Sequence, residues 1–387
     1  MNTNFFTTNS ASPSIGEIVT VVLGSGGANY TTSNVLGNYI QTNAIYLQAD
    51  YPNLYSTIGL QNAAVMTPVT SGTSSIIQSL TYGNGIYVSG ANGTTSLTLR
   101  TSTDAVTWTA RTFGQTASIT GLTYGNGVYV ACAAAGVIRT STDAITWTLR
   151  TTGTTSALSS VTYGNGLYVF AGAGGVLSSS TDGTTWTSRT AGTISGINAL
   201  TYGNGLYVYG GNGGVLASST DAITWTLRTS NTASIINALT YGNGLYVYAA
   251  AGGGVGSSTD AITWTSRTSG TASALNAVTY GNGVYAIAGA GGLIKTSTNT
   301  VTWTTRPTGT TTIIEAMIYN GSNTFVVAGD SGILFKSSNL ALNQYSSYYD
   351  ANTQFYVPSM VETVPTVTSV PGNGYQYPIL QTYIRAK

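Results

Sequence analysis

The sequence predicts an all-β fold built as a closed ring of similar four-stranded units, and three observations lead to it. A Ser-Thr-Asp-x-x-Thr-Trp unit or a close variant recurs every 39 residues, with its acidic position at 104, 143 and 182 in the first three copies. A Tyr-Gly-Asn-Gly unit alternates with it, and charged residues make up only 6% of the 387 residues. A constant period of about 20 to 50 residues is typical of solenoids and propellers, so we predict a β-propeller.

The first repeated unit keeps the same spacing between its acidic position and its tryptophan in six copies. The pairs are Asp104 and Trp108, Asp143 and Trp147, Asp182 and Trp186, Asp221 and Trp225, Asp260 and Trp264, and Asn299 and Trp303. These units resemble the Asp-box of sialidases and many other propellers, although each is one residue shorter than the usual box. The resemblance implies a structural hairpin between the third and fourth strands of a blade. In it the acid accepts turn hydrogen bonds and the tryptophan packs beneath it.

The second repeated unit contains Asn-Gly, the strongest short signal for a two-residue hairpin, because a type I′ turn needs positive φ at both central residues. The unit begins at Tyr82, Tyr124, Tyr163, Tyr202, Tyr241 and Tyr280, with a degenerate seventh copy at Tyr319. We expect it to join the first and second strands of seven blades.

Each repeat has room for four short strands. In the fourth repeat we place them at residues 197–202, 206–209, 215–219 and 223–228. Alternation of apolar and polar residues supports the fourth strand, since it would put Ile145, Trp147 and Leu149 of the second repeat on one face. Runs such as Gly172-Ala173-Gly174-Gly175 suit the tight turn between the second and third strands.

Six boxes and seven turns are reconciled if the last blade takes its fourth strand from the beginning of the chain. The tryptophan of each box precedes the next turn tyrosine by 16 residues (163 minus 147), and counting back 16 from Tyr82 reaches Met66. A ring closed in this way has no free sheet edge. We therefore predict a seven-bladed propeller over residues 62–339, inserted into a small split base domain formed by residues 1–61 and 340–387.

Composition excludes several functional classes. The chain has no His, a single Cys and a net charge of +1 without a basic cluster, so we expect no metal site, no cofactor and no nucleic-acid partner. Cys132 is expected to be a small buried apolar residue. No apolar run reaches the roughly 18 residues of a membrane span, and the start Met1-Asn2-Thr3-Asn4 lacks the basic residues of a secretory signal. We therefore expect no membrane insertion.

The residue four positions before each turn tyrosine is polar in all seven repeats. These residues are Gln78, Thr120, Ser159, Asn198, Asn237, Asn276 and Glu315. We expect them to ring the mouth of the central channel, where they would bind a polar ligand such as a sugar. The alternative is that they only line a solvent-filled channel.

A glycan-cleaving enzyme is a second alternative, because glycosidases use two carboxyl groups that flank the scissile bond. Glu315 and Asp330 are the pair of acids in the propeller that the repeat does not explain. The arginines follow the repeat instead of forming the cluster that a sialidase needs. We therefore predict no catalytic residues.

The segments outside the propeller resemble the two halves of a phage tail-collar domain. The resemblance rests on residues 16–19, 47–59, 353–359 and 381–387. In that family the two halves follow each other closely, whereas about 295 residues separate them here, and Ser359 replaces the usual Asp. The resemblance implies a component of a phage tail or fibre that forms a homo-oligomer, a trimer by analogy. Its base domain would anchor to other virion proteins.

We accordingly expect a non-enzymatic structural protein of the virion, assembled in the host cytoplasm, whose propeller binds glycan on the host surface. The 27 Tyr residues fit such a surface because Tyr gives large contact area at low entropic cost, and many would instead fill the blades. Three alternatives stay open. They are a decoration or spacer protein of the virion, a glycan-cleaving tail enzyme, and an adhesin or surface-layer protein outside any virus.

Overall fold

The structure of this protein is a computed structural model that describes residues 18–23, 39–41, 44–47, 66–93, 98–322, 324–337, 354–357 and 379–385. Its internal contacts divide the chain into two units. One unit is Ala64–Asn343, and the other consists of Met1–Ala63 with Gln344–Lys387. The boundaries and the nature of the base domain stay a prediction, since most of residues 1–61 and 340–387, including most of the tail-collar-like segments, lies outside the described residues.

The described strands all belong to small antiparallel sheets. In chain order the first of them are β1 (Ile18–Leu23), β2 (Tyr39–Gln41), β3 (Ala44–Leu47), β4 (Met66–Pro68), β5 (Ile77–Gly83), β6 (Ile86–Ala91), β7 (Leu99–Ser102), β8 (Thr109–Arg111), β9 (Ile119–Gly125), β10 (Val128–Ala133), β11 (Val137–Ser141), β12 (Thr148–Arg150), β13 (Leu158–Gly164), β14 (Leu167–Gly172), β15 (Leu177–Ser180) and β16 (Thr187–Ser188). The others are β17 (Ile197–Gly203), β18 (Leu206–Gly211), β19 (Leu216–Ser219), β20 (Thr226–Leu227), β21 (Ile236–Gly242), β22 (Leu245–Ala250), β23 (Gly254–Ser258), β24 (Thr265–Thr268), β25 (Leu275–Gly281), β26 (Val284–Gly289), β27 (Leu293–Ser297), β28 (Thr304–Arg306), β29 (Ile314–Tyr319), β30 (Phe325–Gly329), β31 (Leu334–Ser337), β32 (Gln354–Val357) and β33 (Ile379–Arg385).

Seven four-stranded sheets follow one another through the larger unit and confirm the predicted blades. Blades 1 to 6 each use four consecutive strands, from β5–β8 to β25–β28, whereas blade 7 has the order β29-β30-β31-β4. The N-terminal strand therefore closes the ring, as expected. Met66 pairs with Ser337 and is buried at 6% exposure in the core of the last blade, where the other blades have their tryptophan.

Strands from the two ends of the chain pair with each other in the smaller unit. β33 lies between β1 and β2, with Ile18 opposite Ile384, and β3 pairs with β32, with Ala44 opposite Val357. Among the described residues, no helix is long and apolar enough to cross a membrane.

The hairpin turns between first and second strands have the predicted backbone. Asn84 has φ +45° and Gly85 has φ +78°, and Gly83 pairs with Ile86 across them. Positive φ at both central residues is what a type I′ turn requires. The later Asn-Gly pairs have the same signs, so the repeated unit sets the hairpin register in each of these blades.

The hydrophobic core lies between neighbouring blades. One cluster joins Val208 and Leu216 of blade 4 to Ile236 and Tyr246 of blade 5, and equivalent clusters follow around the ring. Burying one aromatic side chain stabilises the fold by about 2 kcal/mol. Cys132 is fully buried in such a cluster, as expected, and burial raises the pKa of its thiol to about 12.

Several tyrosines of the propeller are buried and join blade to blade, as was expected of many of them. The Tyr207 ring is fully buried and its hydroxyl donates to the carbonyl of Gly164 in the preceding blade. A Cβ on Gly164 would lie 2.6 Å from Cβ of Tyr202 and closer still to its ring, so this glycine lies flat against the turn tyrosine of the next blade. The same arrangement recurs at Gly83, Gly125, Gly203 and Gly242.

The predicted fourth strand was wrong in its length, so its three apolar residues do not share one strand face. Trp147 is buried at 8% exposure, but Ile145 and Leu149 are exposed at 50% and 54%. The strand begins only at Thr148, and in blade 4 only at Thr226. The preceding residues belong instead to the turn that the box acid organises, which removes them from the strand alternation.

Candidate functional site

The structure brings all seven predicted channel residues to one cavity of about 240 Å³. Each blade contributes the second residue of its innermost strand to the lining. The residues are Gln78, Thr120, Ser159, Asn198, Asn237, Asn276 and Glu315. A ligand role for them stays a prediction.

A β-bulge directs these side chains into the cavity. In blade 4, Ile197 pairs with Gly211 and Ala199 pairs with Gly210, so Asn198 between them has no partner in the ladder. An extra residue in one strand bends the strand and re-aims its side chain. The same shift occurs at the equivalent position of the other six blades. Every blade therefore turns its polar residue towards the axis while the apolar residue before it stays in the core.

Several lining side chains also bond to the next blade. Thr120 Oγ1 donates to the carbonyl of Leu158 at 2.7 Å, and Asn237 Nδ2 donates to the carbonyl of Leu275 at 2.9 Å. Asn276 Nδ2 donates to Oε2 of Glu315 at 3.0 Å. A primary amide has two N–H donors and one acceptor oxygen, so one bond across the blade interface leaves hydrogen-bonding capacity for a ligand.

A second set of side chains reaches the mouth from the turns between second and third strands, and one of its members was not predicted. Asn212 follows β18, and its Oδ1 accepts from Asn198 Nδ2 at 3.0 Å. Asp330 occupies the corresponding place after β30. Alignment of the turns by repeat would have found both, because Ala173, Ala251 and other small residues stand there in most blades.

Glu315 carries the one charged group among the seven lining residues. Burial raises its pKa to about 7, and the nearby charge of Asp330 acts in the same direction, while the hydrogen bond from Asn276 opposes the shift. Oδ1 of Asp330 is buried and has no hydrogen-bonding partner. Burial and the neighbouring acid therefore both favour the protonated form of Glu315.

The box acids organise turns and lie outside this cavity. Asp143 Oδ1 accepts from the backbone N–H of Ile145 and Thr146 and from Ser141 Oγ, each at 2.8 Å. The backbone bonds are the main reason that the pKa of Asp143 falls to about 2. Asp104, Asp182, Asp221 and Asp260 make the same bonds, and Asn299 does so with its amide oxygen.

The box tryptophans pack beneath these turns. Trp147 and Trp264 are buried, and the indole N–H of Trp147 donates to the carbonyl of Ala144 at 3.2 Å. Trp108, Trp186, Trp225 and Trp303 are partly buried against the blade cores. Over the described part of the chain, no three His, Cys, Asp or Glu side chains are grouped to hold a metal ion.

Fold and sequence together define the class of this protein as a seven-bladed β-propeller with four-stranded blades. The family model of the DUF6242 beta propeller domain matches residues 63–190, 150–269 and 193–306, which together span more than half of the chain. The chain belongs to this family. No curated protein matches its sequence.

Solved structures share the fold at low sequence identity. YCF48 from Cyanidioschyzon merolae is 18% identical with a TM-score of 0.57, and the match covers 71% of this chain and 98% of that one. A catalytically inactive virginiamycin B lyase from Staphylococcus aureus, solved with quinupristin, is 17% identical with a TM-score of 0.64 and the same coverages. The WD40 propeller of Doa1 is 9% identical with a TM-score of 0.60, over 71% of this chain and 96% of that one. These likenesses concern the fold.

Proposed function

We propose that this protein is a non-enzymatic component of a phage tail or fibre and that its propeller binds glycan on the host surface through the channel mouth. The observation that carries the binding role is the convergence of seven polar side chains on one cavity. Binding sites combine a concave surface with a few convergent polar groups. The lining offers hydroxyl, amide and carboxyl groups, which suit the hydroxyls of a sugar.

The virion context is proposed from the flanking sequence. Residues 16–19, 47–59, 353–359 and 381–387 resemble the tail-collar domain, and the Asp-box resemblance of the repeats is of the kind seen in many propellers. The pairing of β1 with β33 and of β3 with β32 agrees with a base that both ends of the chain build. We propose that this base anchors to other virion proteins as a homo-oligomer, with a trimer as the first expectation.

A glycan-cleaving role has less support from the geometry. Glu315 and Asp330 hold the places at which Asn198 and Asn212 of blade 4 are hydrogen-bonded at 3.0 Å, whereas glycosidases keep their two carboxyl groups roughly 5 to 9.5 Å apart, with the scissile bond between them. Neighbouring places of this kind leave no such gap. Measuring sugar release by the wild type and by Glu315→Gln tests this alternative.

The test of the binding role is whether labelled recombinant protein binds candidate host cells and blocks adsorption of the intact phage. We expect saturable binding that the combined Asn198→Ala, Asn237→Ala and Asn276→Ala variant loses. The matched control removes three amides from hairpin turns at the opposite end of the innermost strands, where positive φ suits glycine. It combines Asn165→Gly, Asn204→Gly and Asn243→Gly.

Each outcome of this test has a definite meaning. Equal binding by the triple Asn→Ala variant of the mouth (the mouth variant) and the triple Asn→Gly variant of the turns (the turn variant) would mean that recognition lies outside the mouth. Absence of binding by an assembled oligomer would contradict the receptor role and favour a decoration or spacer protein. Loss of binding in the mouth variant alone supports the proposal.

A further inference from the structure

The channel mouth contains two neighbouring carboxyl groups, and a buried oxygen of one of them lacks a hydrogen-bond donor. Glu315 reaches the cavity from β29, and Asp330 begins the turn after β30 of the same blade. The backbone N–H of Asp330 donates to the carbonyl of Ile313 at 3.0 Å. In blade 4 the equivalent backbone bond, from Asn212 to Gly196, places the Asn212 side chain 3.0 Å from that of Asn198, so Asp330 and Glu315 hold neighbouring places in blade 7. Oδ1 of Asp330 is buried without a donor. Two ionised carboxylates are both acceptors. Contact between them therefore needs a proton on one of the pair.

The described strands and lining residues around the pair supply no compensating positive charge. None of the seven lining residues is Lys or Arg, and Asn276 contributes a neutral amide donor. The described strands packed against β29 add only tyrosines as titratable groups, and a phenol carries no positive charge in either of its protonation states. They are Tyr82 on β5, Tyr280 on β25 and Tyr285 on β26, with Tyr319 at the far end of β29 itself.

The composition of the mouth also limits the ligands that it accepts. Recognition of an anionic sugar uses Arg or Lys, which the lining lacks, and the carboxyl pair carries at least one negative charge. Hydroxyl, amide and protonated carboxyl groups both donate and accept, as sugar hydroxyls do. A cavity of about 240 Å³ is smaller than the roughly 300 to 1,000 Å³ of drug-sized sites. It suits a terminal sugar residue.

We propose that Glu315 and Asp330 share a single proton, and that this protonated pair makes the mouth selective for the uncharged terminal residue of a glycan. The selectivity part rests on the proposed glycan-binding role of the mouth, whereas the shared proton does not. When the proton leaves to solvent, the charge of the pair changes from −1 to −2. The carboxyl donor is then lost, and displacing water from two carboxylates costs more, so binding of a neutral sugar weakens.

The first experiment follows the proton without any ligand. Carboxyl carbon resonances of 13C-labelled full-length protein are titrated, and Glu315 is assigned with the Glu315→Gln variant. We expect a midpoint near pH 7 in the wild type and a fall of one or more pH units in Asp330→Asn, whose amide donates to the ionised Glu315. The matched control is Asp221→Asn, which removes the same charge from a box turn and should leave the midpoint unchanged. A wild-type midpoint below pH 5 would overturn the shared proton.

The second experiment measures selectivity with an array of neutral and acidic oligosaccharides at pH 5.5 and pH 8.5. We expect wild-type binding to neutral glycans to fall about tenfold between the two pH values and the Glu315→Gln variant to bind equally at both. Binding of acidic glycans, or binding of neutral glycans that is independent of pH, would overturn the selectivity. Absence of all glycan binding would overturn it together with the proposed function, while the carboxyl titration would still decide the shared proton.

Discussion

Two glycines of one hairpin turn provide a sharp test of how the blades are held together. Gly164 and Gly166 belong to the same Tyr-Gly-Asn-Gly unit, but the structure requires each for a different reason. A Cβ on Gly164 would overlap Tyr202 of the next blade, with 2.6 Å to its Cβ and less to its ring. A Cβ on Gly166 would meet nothing within 4 Å, and only its φ of +79° disfavours a side chain.

The expected costs follow from these two situations. Gly164→Ala forces the Tyr202 ring away, and overpacking of this kind costs about 2 kcal/mol. It also disturbs the Tyr207 hydroxyl bond to the Gly164 carbonyl, a loss of about 1 kcal/mol. We therefore expect about 3 kcal/mol for Gly164→Ala and about 1 kcal/mol for Gly166→Ala, whose cost is backbone strain alone.

Thermal unfolding followed by circular dichroism measures the difference. For a domain of this size we expect Tm to fall by about 6 °C for Gly164→Ala and by about 2 °C for Gly166→Ala. Combining Gly164→Ala with Tyr202→Gly removes both the ring and the Cβ that the new methyl group would overlap, so the double variant should cost less than the sum of the single variants. Equal losses for the two glycine variants, or strict additivity in the double variant, would refute the packing argument.

Three further predictions concern hydrogen bonds and protonation. Tyr207→Phe leaves the buried carbonyl of Gly164 without its donor, and we expect urea denaturation to show a loss of about 1–2 kcal/mol; an unchanged midpoint would contradict this. Asp143→Asn should be nearly neutral, because Asn299 accepts the same turn bonds, whereas Asp143→Ala should cost about 1–2 kcal/mol in the same assay. The raised pKa of Glu315 means that its stabilising effect is complete below about pH 4.5 and is lost as pH rises through about 7. Tm should therefore fall less between pH 5 and pH 8 in Glu315→Gln than in the wild type.

The repeated residues predicted the ring because each of them specifies local geometry. Asn84 and Gly85 need only their own positive φ to set a hairpin, and Met66 could be placed because a constant spacing fixes its strand. The bulge at Asn198 could not be predicted, because Ile-Asn-Ala reads equally well as regular alternation. The contact between Gly164 and Tyr202 was also beyond the sequence, since spacing along the chain does not show which faces of two blades meet.

The candidate site was predicted as a set of positions but not as a chemical environment. Counting four residues back from each turn tyrosine found Asn198, Glu315 and their equivalents, because the repeat places the same position of every blade at the axis of the ring. Glu315 and Asp330 are neighbours because the turn after β30 lies close to the start of β29 in the same blade. Fifteen residues separate the two acids (330 minus 315), and only the folded blade shows that they meet.

Variation among the blades indicates which positions the ring itself determines. The position two residues after the box acid holds Val106, Ile145, Ile223, Ile262 and Val301 in five of six copies, although these side chains are about half exposed. The mouth, in contrast, holds glutamine, threonine, serine, asparagine or glutamate at one geometrically equivalent site. A ring of seven identical blades needs no such variety at its mouth. The proposed glycan ligand would use it, because an asymmetric ligand meets each blade with a different group.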